Sequence, residues 1–155
     1  MGRKKKKPAM HIKIHFMVYG EQRPAGSKRA VPIKRADGSF GLRVIHDNPH
    51  TKPWMAEVKA VAAEHFTGPL MGGPVSLQLA FVRPRPKSHF GKRGVKPSAP
   101  ALPITKPDSI KLARAIEDAL TGVVWRDDAQ VCLHVISKSY GERFLTEIEI
   151  KSLEE

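Results

Sequence analysis

The stretch DSIKLARAIEDALTG (residues 108–122), followed by VCLHVISKSYGERFLTEIEI (residues 131–150), decides how this chain folds. At about 100° per residue, Leu112, Ala115, Ile116, Ala119 and Leu120 fall on one side of a helix. Lys111, Arg114, Glu117 and Asp118 fall on the other. The apolar stripe must bury against a flat surface, and the sequence that follows supplies one. Val131, Leu133 and Val135 alternate, then Phe144, Thr146, Ile148 and Ile150. That is the period of two expected of half-buried strands. A turn around Gly141 between the two runs predicts a C-terminal hairpin. Asp108 or Ser109 can cap the helix and Thr121-Gly122 stops it. Ile110 lies on the polar side, nearly in line with Glu117, and suits contact with a loop or a second subunit.

Working outward, Val75, Leu77, Leu79 and Phe81 predict a strand over 75–82. Trp54, Val58, Val61, Ala62, His65 and Phe66 recur at helical spacing over 52–66, with Thr51 as cap, Pro53 in the first turn and Gly68-Pro69 as the stop. Ile12, Ile14, Phe16 and Val18 alternate in a first strand. The segment 21–41 is rich in Gly, Pro, Lys and Arg and reads as a loop or loose hairpin, with a short strand at 42–46. Residues 83–106 hold many prolines among Arg83, Arg85, Lys87, Lys92, Arg93 and Lys96, which predicts a basic loop without regular structure that orders on DNA phosphates. The element order implies an α+β fold: one domain over 11–151, a mixed sheet of four to five strands, and two helices packed on it. Residues 1–10 read as a flexible basic arm.

Charge narrows the function. Twenty-seven Lys and Arg against 15 Asp and Glu give +12, a balance that favours a polyanionic partner such as nucleic acid. No apolar run is long enough for a membrane span, and residues 1–10 lack the apolar segment of a signal peptide. The single Cys132 excludes an internal disulfide framework or a Cys-rich zinc site. The expectation is a cytoplasmic protein (host cytoplasm if phage-encoded) with no organic cofactor.

Acids are nevertheless concentrated. Five of the 15 carboxylates, those of Asp108, Glu117, Asp118, Asp127 and Asp128, lie between residues 108 and 128. Carboxylates repel a phosphodiester unless a cation lies between them. A hard cation needs only one or two carboxylates plus waters and substrate oxygens, and it can polarise the phosphoryl group and generate hydroxide. Ordinary helix surface charge explains the same composition equally well.

The residues then become familiar. Lys106-Pro107-Asp108, Leu112, Arg114, Asp118-Ala119-Leu120-Thr121-Gly122 and Trp125-Arg126-Asp127-Asp128-Ala129-Gln130-Val131 resemble the core of the RusA-type Holliday junction resolvases. The family form reads roughly P-D-x-D-N-L-x-K-x-x-x-D-A-L, then D-D-A-Q-V. The resemblance implies a homodimeric endonuclease that nicks branched DNA with Mg²⁺, or Mn²⁺ in its place. It implies that Asp108 and Asp128 are metal ligands, that Arg114 stands where the family has a catalytic Lys, and that Asp118 and Asp127 fill the remaining acidic positions. Ile110 departs from the pattern, because it replaces an expected second Asp. Three outcomes stay open. Glu117 reaches the metal in its place; Asp127 or Asp118 completes the site; or the protein binds branched DNA without cutting it. Lys87, Lys92, Arg93, Lys96, Lys106, Lys111, Arg114 and Arg126 are the candidate phosphate contacts.

The seven histidines form no ligand set in sequence, and His134 has no identifiable partner. Trp54 reads as core, and Trp125 as either core or a base-stacking residue.

Overall fold

The computed structural model describes residues 11–26, 28–46 and 48–154. The arm expected over 1–10 lies outside the described residues. Four strands form one mixed sheet: β1 (Lys13–Tyr19), β4 (Val75–Pro84), β7 (Val131–Gly141) and β8 (Leu145–Ser152), in the order β1-β8-β4-β7. β8 is antiparallel to β1 and β4, whereas β7 is parallel to β4. β2 (Lys28–Lys34) and β3 (Phe40–His46) make a separate hairpin, in accord with the loose hairpin read from sequence.

Alternation decides which face is covered. Ile14, Phe16 and Val18 of β1, Val75, Leu77, Leu79 and Phe81 of β4, and Ile148 and Ile150 of β8 are all buried. Two helices cover that face and pack on each other: α1 (Thr51–His65) and α2 (Ser109–Leu120). α1 contributes Trp54, Val58 and Ala62; α2 contributes Leu112, Ala113, Ala115, Ile116, Ala119 and Leu120. The apolar stripe of α2 is the one its periodicity predicts, and Ile110 is exposed, as its place on the polar side requires.

The C-terminal hairpin does not form. β7 and β8 are consecutive, yet β4 lies between them. β4 carries the longest uninterrupted buried row, and a central place gives it a hydrogen-bonded neighbour on both edges. β7, with Cys132, Leu133, His134 and Val135 exposed, tolerates the edge. Residues 142–144 therefore cross over the end of β4. The fully buried Gln22 secures this crossing, its Nε2 donating to Val82 O and Leu145 O at 2.9 Å each. Arg83 Nη1 donates to Gln22 Oε1 at 3.2 Å, and its guanidinium lies 5.0 Å from the centre of the Phe144 ring. Burial pulls the Arg83 guanidinium below its usual range, against the opposing charge of Glu21.

Two further expectations change. Thr51 does not cap α1; it is the first helical residue, and its hydroxyl donates to Pro24 O at 2.7 Å, tying the helix to the segment after β1. The 83–106 segment is not structureless either. It holds a 3₁₀ turn (Lys87–His89) and the paired β5 (Phe90–Gly91) and β6 (Gly94–Val95), closed by Lys96 N donating to His89 O at 2.8 Å. Its prolines prevent long strands but not a compact turn.

Replacing Gln22 by Ala orphans two strand-end carbonyls. The expected cost is about 2–4 kcal/mol, read as a lower urea midpoint at unchanged slope.

Candidate active site

Asp108 occupies the N-cap position of α2 with an extended backbone, but its side chain makes no capping bond. Its carboxylate is exposed and meets only Lys111 among the described residues, at 3.9 Å. The approach to Asp108 is held from β7, where Lys138 Nζ donates to Thr105 O at 3.1 Å and Pro107 O at 3.2 Å. Nine residues along α2, Glu117 turns towards the sheet and bonds the ring of His134, also on β7. These two attachments show that α2 runs antiparallel to β7. Nine residues of helix and four of strand each span about 13 Å, so the two attachments agree.

Asp128 lies beyond the other end of that strand. It opens the 3₁₀ turn Asp128–Gln130 that feeds Val131. From Lys138 back to Val131 is about 23 Å along the strand. A magnesium ion sits about 2.1 Å from each oxygen it binds, so its two carboxylate ligands must lie within about 4 Å of each other. Within one chain, Asp108 and Asp128 are thus attached towards opposite ends of β7. No three His, Cys, Asp or Glu side chains converge among the described residues.

The acids between them have distinct surroundings. Asp127 caps the turn, accepting from Ala129 N at 2.9 Å in a capping box with Gln130. Gln130 uses its whole amide: Oε1 accepts from Arg126 N and Asp127 N at 3.0 Å, and Nε2 donates to Met71 O at 2.8 Å and Gly73 O at 2.9 Å. Asp128 is left facing solvent, with no hydrogen bond or ion pair to its carboxylate among the described residues. Asp118 is likewise exposed. Glu117, one candidate to replace the missing ligand, has His134 as its partner. Trp125 is fully buried and donates from Nε1 to Thr121 Oγ1 at 3.1 Å, so it is core and does not stack on a base.

Lys87, Lys92, Arg93, Lys96 and Lys106 are exposed at the Asp108 end of the sheet, together with Lys111 and Arg114 on α2; Arg126 is exposed at the Asp128 end. Sequence reasoning missed Gln22, Lys138 and the His134 partner, because each acts on residues distant in the chain. It missed Gln130 as well, although Asp127 with Gln three residues later is a capping-box spacing.

Residues 20–151 match the family model described as endodeoxyribonuclease RusA. The chain is also 33% identical over 147 residues to the protein named uncharacterized protein YqaN from Bacillus subtilis (strain 168), covering 90% of this chain and 96% of that protein.

Gln130→Ala removes four hydrogen bonds at the turn that presents Asp128 and is expected to cost about 2–3 kcal/mol in chemical unfolding. Asp118→Asn should leave stability within about 0.5 kcal/mol.

Proposed function

Because this chain belongs to the RusA endodeoxyribonuclease family, we propose that it is a divalent-metal-dependent nuclease that resolves four-way or related branched DNA and works as a two-fold dimer. The observation that carries this reading is the separation of Asp108 and Asp128 to opposite ends of β7. A second subunit related by a two-fold axis reverses that direction, so it can bring the two ends together.

The edge of the sheet supports such a partner. β7 is an eleven-residue strand whose only neighbour among the described elements is β4. It exposes Leu133 at 52% and Val135 at 49%. Long uncovered edges of this kind favour pairing with another chain. Antiparallel pairing of two copies about His134 sets position 130 opposite position 138. Asp108 then approaches Asp128 of the partner subunit. Two equivalent sites arise, one for each strand to be nicked. A divalent ion bound there would polarise the phosphoryl group and make its bound water more acidic. Lys111 and Arg114, exposed on the α2 face that begins at Asp108, are placed to neutralise phosphate charge as it develops. The exposed cations of residues 87–106 hold the DNA arms, so binding weakens steeply as salt rises.

Ile110 favours a second reading. It is 63% exposed where the family pattern has an acid, as in a protein that binds branched DNA but no longer cuts it.

Complementation tests both readings. Asp108→Asn and Asp128→Asn should each reduce magnesium-dependent nicking of a synthetic four-way junction more than about 100-fold, with junction binding retained. Refolding the two variants together in equal amounts should restore about a quarter of the wild-type sites, because half the dimers are mixed and each then keeps one intact site. No recovery refutes the shared site. Wild-type binding without magnesium-dependent nicking establishes the non-cutting reading.

A further inference from the structure

An open cleft of about 520 Å³ lies where β4 and β7 end, between the 84–102 segment and the link to β8. Its lining includes Arg85, Phe90, Leu102 and Tyr140, with Glu142 as the single acid among the described lining residues. Phe90 is 49% exposed and Leu102 57%, an unusual position for large apolar side chains within a strongly cationic stretch of the chain. The cleft is also braced. The Arg85 guanidinium stacks 4.3 Å from the centre of the Tyr140 ring and donates from Nη1 to Pro100 O at 2.8 Å, joining both ends of the segment to β7. His89 packs edge-on against Tyr140 at 5.6 Å. Lys87, Lys92 and Arg93 are exposed on the segment that forms one side of the cleft.

Aromatic and apolar walls beside cations match the two halves of a nucleotide, a flat base and a charged phosphate. The volume falls within the range of about 300–1,000 Å³ usual for small-ligand sites. A base inside a duplex has both faces covered by its neighbours and cannot enter. A base at a branch point can leave the stack. We propose that this cleft takes one unstacked nucleotide from the branch, its base against Phe90 and Tyr140 and its flanking phosphates on Lys87, Lys92 and Arg93. The inference rests on the branched-DNA reading above, and it gives that reading a structural basis for preferring branches over linear duplex.

Binding can be measured by fluorescence anisotropy on three DNAs: a four-way junction, the same junction with abasic residues at the branch, and a linear duplex. The wild type should bind the intact junction about five- to a hundredfold more tightly than the abasic one, the range expected for one stacked base. Phe90→Ala should remove that difference and leave duplex affinity within about twofold, while Phe90→Tyr restores it. Lys92→Ala should weaken binding to all three DNAs in parallel. Equal wild-type affinity for the intact and abasic junctions overturns the nucleotide site, as does a Phe90→Ala loss that is the same on junction and duplex. Failure to bind any of the three DNAs overturns the branched-DNA reading, and the nucleotide site with it.

Discussion

Helix α2 lies antiparallel to β7 with its apolar stripe against the sheet, and the rest of the molecule is arranged around that packing. Leu112, Ile116 and Leu120 are completely buried along the stripe. Each such side chain contributes about 1.5–3 kcal/mol relative to exposure, so rotating or reversing the helix is costly. Lys138 and Glu117 then fix the register, one at each end of the contact. With the direction set, Asp108 must stand at one end of the strand. The turn held by Gln130 places Asp128 at the other.

This placement is informative because the protein is so strongly basic. At +12, a carboxylate exposed without a partner is poorly explained by stability alone, since many lysines and arginines are available to neutralise it. Asp127 has a structural occupation as a turn cap, and Glu117 has its histidine. Among the described residues Asp128 has neither, and Asp108 has only a long contact to Lys111. The two acids that the family resemblance singles out are thus, with Asp118, among those whose side chains the fold leaves largely uncommitted.

The cationic 83–106 segment shows a related division of labour. Its prolines and glycines keep it from joining the main sheet, yet Arg85, His89 and Tyr140 tie it to the end of β7. A segment ordered by its own contacts need not lose much conformational freedom on meeting DNA. The exposed lysines can then act mainly through charge, while the cleft beside Tyr140 offers a shaped, partly apolar surface.

Legible in the amino-acid order alone were the helical stripe of α2, the alternating rows of β1, β4 and β8, a loop or loose hairpin where β2 and β3 form, and the excess of positive charge. These follow from periodicity and composition, which are local properties of a chain. The sequence also revealed the family, through motifs whose spacing falls within one helix and the turn after it. Tertiary structure alone decided that β4 separates β7 from β8, because two strands joined by a short link look the same whether they pair or straddle a third. It alone decided that Trp125 is core, that Glu117 meets His134, and that Asp108 and Asp128 point from opposite ends. Those outcomes depend on contacts between residues far apart in sequence, and burial of the whole sheet face sets them together.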